Sequence, residues 1–179
     1  MSDFFIQGIG WIGTLAYLLS YQVKSNRGLY FLCTIGSLAF TVQFMLMGAY
    51  TGSITLLISL AQTLMLMRYN EWAWVRWKGW VVIFNILFLI VLVFTWDGPM
   101  SLLATVPSLV STVTMWTNNA GIMRLNGLLV GGPCWIVYDI ILGSWAGIAT
   151  EIITVASSLL SIYRFGWKNL IAEDSEFSK

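Results

Sequence analysis

The sequence predicts an all-α membrane protein with seven transmembrane helices laid out as 3+1+3: two parallel triple-helix bundles joined by a linker helix, the N-terminus outside and the C-terminus cytoplasmic. Three observations lead there. The first is composition: 58% of the 179 residues are apolar and 9% are charged. A soluble domain carries roughly a quarter charged residues, so a water-facing surface cannot be built from this chain. The second is where the cations fall. Lys24, Arg27, Arg68, Arg76, Lys78, Arg124, Arg164, Lys168 and Lys179 all sit at the end of an odd-numbered apolar stretch or the start of an even-numbered one, and the alternate connections carry none. Loops rich in Lys and Arg stay cytoplasmic, which sets both the number of spans and their direction. The third is an internal repeat, described below.

A helix rises about 1.5 Å per residue, so roughly 20 apolar residues cross a hydrocarbon core near 30 Å. Seven stretches meet this: residues 3–23, 28–48, 51–69, 78–96, 99–117, 121–142 and 145–165. Asp3 is placed to cap the first. Lys24 to Gly28 forms a short inner turn, and the uncharged Gly48-Ala49-Tyr50-Thr51-Gly52 an outer one. Trp72, Trp74, Trp77 and Trp80 surround Arg76 and Lys78, the composition of an aromatic belt at the inner interface. Trp96-Asp97-Gly98-Pro99 turns outside, Asn118-Asn119-Ala120-Gly121 inside, and Gly143-Ser144-Trp145-Ala146-Gly147 outside again. No positive n-region or cleavage site marks the first stretch as a removable signal, so it is expected to stay as a helix.

Shifting the chain by 95 positions lays residues 36–69 on 131–164 without a gap, with eight identities: Gly36/Gly131, Val42/Val137, Gly48/Gly143, Gly52/Gly147, Thr55/Thr150, Ile58/Ile153, Ala61/Ala156 and Leu64/Leu159. Both outer turns read Gly-x-aromatic-x-Gly. The expected units are a first bundle (1–70), a linker helix with the inner belt (71–97), a second bundle (98–166) and a cytoplasmic tail (167–179). An odd number of linking spans makes the bundles parallel, and transporters built from such repeats bind solute between the halves near the midplane.

Several function classes are excluded. A net charge of +1 without a basic face offers nothing to track phosphates, so no nucleic-acid partner is expected. The chain has no histidine, and its two cysteines, Cys33 and Cys134, are isolated in apolar segments. Zinc sites, disulfide frameworks and histidine-based triads are therefore unsupported. No enzyme activity, metal or cofactor is expected. The lipid bilayer is the expected partner, with a small solute and a second copy of the chain as further candidates.

Polar chemistry inside the spans is sparse. Asp139 and Glu151 are acids in helices six and seven, near the same outer turn. An acid at a helix centre costs roughly 2.5–3.5 kcal/mol on insertion scales and faces protein or a water-filled cavity. Adjacent carboxylates share a proton, so Asp139 and Glu151 are candidates for proton coupling. Glu151 continues as a polar stripe through Thr154, Ser158 and Ser161, weaker faces run along Thr55, Ser59, Gln62 and along Thr14, Tyr17, Tyr21, and Gln43 lies on helix two. Trp135 and Tyr138 lie away from the interfaces and form a stacking surface for a flat solute. The candidate substrate-binding set is Gln43, Gln62, Trp135, Tyr138, Asp139 and Glu151. Asn85 is expected to make an interhelical hydrogen bond. Gly127 and Gly131 form a G-x-x-x-G that invites close helix approach, and Pro107 and Pro133 are candidate kinks.

The second half carries Trp135, Tyr138, an outer turn at Ser144 and Thr150-Glu151, and the first half holds Phe40, Gln43, Ala49 and Thr55-Leu56 at the same places. This spacing resembles the PQ-loop and MtN3-type superfamily, which includes the SWEET sugar transporters, their half-size bacterial relatives and the PnuC-type carriers; Tyr21-Gln22 stands at the Pro-Gln place. The string Tyr138-Asp139-Ile140-Ile141-Leu142-Gly143-Ser144, with the length and the tail, is similar to the YgjV-type bacterial inner membrane proteins. The resemblance implies a multi-pass protein of the bacterial inner membrane. Together with the repeat and the buried acids, it makes a small-solute transporter working by alternating access the leading expectation, with proton coupling through Glu151. A non-transporting membrane receptor or scaffold is the alternative class, since a fold alone does not fix function.

Overall fold

The computed structural model describes residues 3–20, 26–69, 71–117 and 119–165. The chain is all-helical over these residues. The helices are α1 (Asp3–Ser20), α2 (Asn26–Leu46), α3 (Tyr50–Leu66), α4 (Gly79–Phe94), α5 (Met100–Met115), α6 and α7 (Trp145–Phe165). Helix α6 runs in three parts: Ala120–Asn126, a π-helical turn at Gly127–Gly131, and Gly132–Leu142. These agree with the seven expected stretches to within a few residues at each end. Tyr21, Gln22, Lys24, Lys168 and Lys179 lie outside the described residues, as does the tail from residue 166.

The seven helices are inverted relative to a soluble bundle. Leu15, Leu19, Ile86, Val93, Phe94 and Ile152 point outward and are exposed, while Thr14, Gln43, Thr55, Gln62, Thr105, Thr112 and Ser144 are fully buried. Backbone and side-chain polar groups cannot be left facing hydrocarbon, so Ser and Thr turn inward and bond the preceding turn of their own helix. Thr105 donates to Ser101 (2.9 Å), Ser108 to Ala104 (2.7 Å) and Thr112 to Ser108 (2.9 Å). Among the described residues, Gly121–Leu142 is both long and apolar enough to cross a bilayer by length and composition, and the apolar runs of the other six cover 10–17 residues.

Six helices close a ring by pairwise packing: α1 on α2, α2 on α3, α3 on α5, α5 on α6, α6 on α7, and α7 back on α1. Helix α4 stands outside it, against α3 and α5. A short 3₁₀ turn, Ala73–Arg76, leads into α4. There the tryptophans form a chain of ring contacts from Trp72 through Trp74 and Trp80 to Phe84 and Trp116. The Trp116 indole N–H anchors this chain by donating to the Val75 carbonyl at 3.1 Å.

The repeat reaches the hydrogen bonds. Gly48 (φ 77°) and Gly143 (φ 70°) both adopt the left-handed conformation that ends a helix. Ala49 N–H bonds the Phe44 carbonyl, and Ser144 N–H the Asp139 carbonyl, both at 2.9 Å. Donors and acceptors are each displaced by 95 residues. A side chain costs roughly 1–2 kcal/mol in this conformation. Gly48→Ala and Gly143→Ala are therefore each expected to destabilise by about 1–2 kcal/mol, with similar losses in thermal midpoint. A loss at one position and none at the other would show that the two turns are not equivalent.

Two expectations differ in detail. The G-x-x-x-G is not a packing face: a Cβ on Gly127 would meet nothing within 4 Å, whereas one on Gly132 would come within 2.5 Å of Val155 on α7. The segment is instead the π-helical turn, with Gly132 N–H bonded to the Gly127 carbonyl. Pro133 explains this, since its ring has no N–H and crowds the carbonyl four residues back, and one widened turn absorbs the conflict. Asn85 Oδ1 is buried without a hydrogen-bond partner, so the interhelical bond expected of it is not formed by that oxygen.

Candidate functional site

The Gly143 turn sets the site. It ends α6 and starts α7 within three residues, so the two helices lie side by side at the ends this turn joins. Gly147 falls in the first turn of α7, and a Cβ there would lie 2.4 Å from the Asp139 carboxyl. Only glycine leaves room for that carboxyl against the α7 backbone. Asp139 is 2% exposed, and its Oδ1 has no hydrogen-bond partner. The Ser144 side chain interacts with the Asp139 carboxyl and in turn accepts from Gly147 N–H at 3.2 Å. Glu151 is one turn further along α7 and lines the same cavity as Asp139.

Helix α1 closes the acidic side. The Thr14 hydroxyl lies 2.8 Å from that of Thr150 and within 3.2 Å of the Ala146 carbonyl. Gln7 Nε2 donates to the Gly143 carbonyl at 2.7 Å. Facing the acids is an aromatic wall. Phe44 stacks on Trp135 with centroids 6.1 Å apart and planes 15° from parallel. Tyr138 meets Phe44 and Trp135 edge-on at 5.6 and 5.4 Å, and Phe40 stacks on Tyr17 at 6.0 Å.

Acids and aromatics line a half-open cavity of about 240 Å³ reached from α1, α2, α3, α6 and α7. Phe40, Phe44 and Leu56 line it from the first half, and Trp135, Asp139 and Glu151 from the second. These are three pairs at the repeat offset: Phe40 with Trp135, Phe44 with Asp139, Leu56 with Glu151. The cavity therefore meets both repeats at the same positions: the Phe40–Trp135 pair is aromatic in both halves, whereas Phe44 and Leu56 in the first half are answered by the acids Asp139 and Glu151 in the second. Thr150 and Thr154 add hydroxyls on the acidic side, and Tyr17 adds its ring.

The candidate residues divide accordingly. Trp135, Asp139 and Glu151 come together in the cavity. Tyr138 packs behind its wall, where its hydroxyl accepts from Gly52 N–H at 3.1 Å and it lines a separate recess of about 410 Å³ with Asp97 and Ser101. Gln43 is fully buried but turned toward α1, its Nε2 3.4 Å from Gln7 Oε1. Gln62 donates to the Thr112 hydroxyl at 2.8 Å, bonding α3 to α5. Along the polar stripes, Thr154 lines the cavity, Ser158 bonds the Thr154 carbonyl, and the Ser161 side chain and Tyr21 lie outside the described residues. Phe44 was not singled out from sequence. The 95-residue offset applied to Asp139 leads to it, but an apolar residue in an apolar helix gives no signal of its own.

Among the described residues the ion pair formed is Arg68 with Glu71, exposed near the tryptophan cluster that precedes α4, and no cationic side chain lines the cavity. No group of three His, Cys, Asp or Glu residues suited to hold a metal occurs among the described residues.

No curated protein and no solved structure matches the chain. Residues 4–169 match the Imp-YgjV family, described as bacterial inner membrane proteins. With nearly the whole length matched, an all-helical fold and an outward apolar surface, the chain belongs to the Imp-YgjV family of bacterial inner membrane proteins.

Proposed function

We propose that this protein carries a small polar solute across the inner membrane by alternating access between two pseudo-symmetric three-helix bundles. One observation carries the reading: three residue pairs related by the 95-residue repeat line a single half-open cavity. In parallel-repeat transporters the site lies where the halves meet, and a cavity of this kind opens to one side or the other as the halves rock. The closed ring supports it too, since α3 on α5 and α7 on α1 are corresponding junctions between halves. Both junctions carry hydroxyl and amide bonds beside their apolar contacts: Gln62 with Thr112, Thr51 with Ser101, and Thr14 with Thr150. Each such bond contributes little, near 0.6 kcal/mol on average.

The orientation that goes with this reading places every cation inside. A cysteine at position 24, in a protein lacking Cys33 and Cys134, is expected to react with an impermeant reagent only after the cells are opened, and a cysteine at position 96 in intact cells. Labelling of position 24 from outside would reverse the topology.

The functional test is a thermal-shift screen of the purified protein against sugars, nucleosides, vitamins, amino acids and amines. A ligand at about 100 times its dissociation constant stabilises by roughly 2.7 kcal/mol. A hit lost in both Trp135→Ala and Glu151→Gln, and transported by proteoliposomes, supports the reading. Stabilisation that survives both changes places the site elsewhere.

A further inference from the structure

We propose that the cavity binds a small organic cation with a flat apolar or aromatic body, its ammonium-type head against Asp139 and Glu151 and its body against Phe44 and Trp135. This names the solute class of the carrier proposed above and rests on that reading.

The argument starts from an unanswered acceptor. Asp139 lines the cavity, is 2% exposed and leaves Oδ1 without a partner. An ionised carboxylate is acceptor-only and takes several donors, and a buried charge is stable only when paired or coordinated. Among the described residues no lysine or arginine lines the cavity to supply the pairing, and Glu151 adds a second acid instead of a counter-charge. In the empty cavity a proton shared by the two acids can neutralise them; a ligand cation that donates hydrogen bonds takes that proton's place when it binds.

A bare metal ion does not fit. Among the described residues no group of three or more His, Cys, Asp or Glu is placed to hold one, and the walls Phe40, Phe44, Leu56 and Trp135 supply no oxygen ligand. Those walls instead suit a flat apolar body, and aromatic faces also attract cations, by about 0.5–2 kcal/mol. An uncharged sugar fits poorly for the converse reason: its hydroxyls would face Phe and Leu unpaired, each at a desolvation cost. An anion is repelled by the acids. Size sets the last limit. At the roughly 30 Å³ a water occupies in the liquid, the cavity holds about eight waters, or one solute of about ten non-hydrogen atoms.

Matched probes of that size test the assignment: benzylammonium, neutral benzyl alcohol, benzoate, and ethylammonium, which keeps the head and lacks the ring. Binding is measured at equilibrium on the full-length protein in nanodiscs of zwitterionic lipid, with empty nanodiscs as the blank. Benzylammonium is expected to bind at least about tenfold more tightly than benzyl alcohol or ethylammonium, and benzoate least of all. Glu151→Gln and Asp139→Asn should each erase the preference for benzylammonium over benzyl alcohol while the protein elutes as a single folded species. Should Asp139→Asn fail to fold, Glu151→Gln decides alone. Equal binding of the amine and the alcohol, or a preference that survives Glu151→Gln, overturns the proposal.

Uptake of labelled benzylammonium by proteoliposomes separates this from the carrier reading. Saturable, Glu151-dependent binding without uptake supports the cation site and overturns the carrier. Uptake of a different solute with no benzylammonium binding overturns the cation site and leaves the carrier standing.

Discussion

Gly10→Ala is expected to destabilise the protein by about 2 kcal/mol, lowering its thermal midpoint in detergent by about 4–8 °C. A Cβ at Gly10 would lie 2.3–2.6 Å from three atoms of the Gln43 amide. In an exposed setting that amide would swing away. Here Gln43 is fully buried, one amide oxygen is already unpartnered, and its nitrogen is directed at Gln7. The alanine therefore forces a polar group to move within a packed seam between α1 and α2. Gly8→Ala, on the same helix, is the control, because its Cβ would meet nothing within 4 Å. Truncating the partner should reverse the loss: Gly10→Ala with Gln43→Ala is expected to be more stable than Gly10→Ala alone. An unchanged midpoint in Gly10→Ala would show that these helices do not pack as described.

Glu151→Gln is expected to abolish proton movement coupled to solute uptake, read with a pH-sensitive dye trapped in proteoliposomes. Glutamine keeps the size and hydrogen-bonding capacity of the side chain but has no proton to exchange, so any residual flux should run only downhill. Normal solute-driven proton movement in this variant would remove Glu151 from the coupling. The repeat supplies a sharper experiment. Leu56 is the counterpart of Glu151 across the cavity. Glu151→Leu combined with Leu56→Glu returns one carboxylate to the cavity from the opposite half. It is expected to recover part of the cation preference that Glu151→Leu alone loses. Failure to recover any would mean that the acid acts through its neighbours on α7, Thr150 and Thr154, rather than through the charge it brings to the cavity.

Much of the molecule was legible from residue types. The seven helices follow from apolar length, and the caps at Gly48 and Gly143 from glycine at equal spacing. Asp139 and Glu151 were found because an acid among apolar residues needs a reason to be there. Gln43 and Gln62 were read by the same logic, yet they bond α1 and α5 instead of lining the cavity. An amide in a membrane helix satisfies itself with whatever polar group faces it, and helix periodicity gives a direction without naming the neighbour. The G-x-x-x-G motif was read as a packing face for a similar reason. Its meaning depended on Pro133 two residues beyond, and the close contact moved to Gly132.

The sequence alone determined the class, the number of helices and the 95-residue correspondence, because bilayer thickness and the cost of unpaired polar groups act on each segment separately. Tertiary structure decided which polar faces meet. Only the ring of α1, α2, α3, α5, α6 and α7 brings Phe44, Asp139, Leu56 and Glu151 to one cavity. The rotation of one helix against another depends on side-chain packing between segments far apart in the chain, and no single segment encodes that.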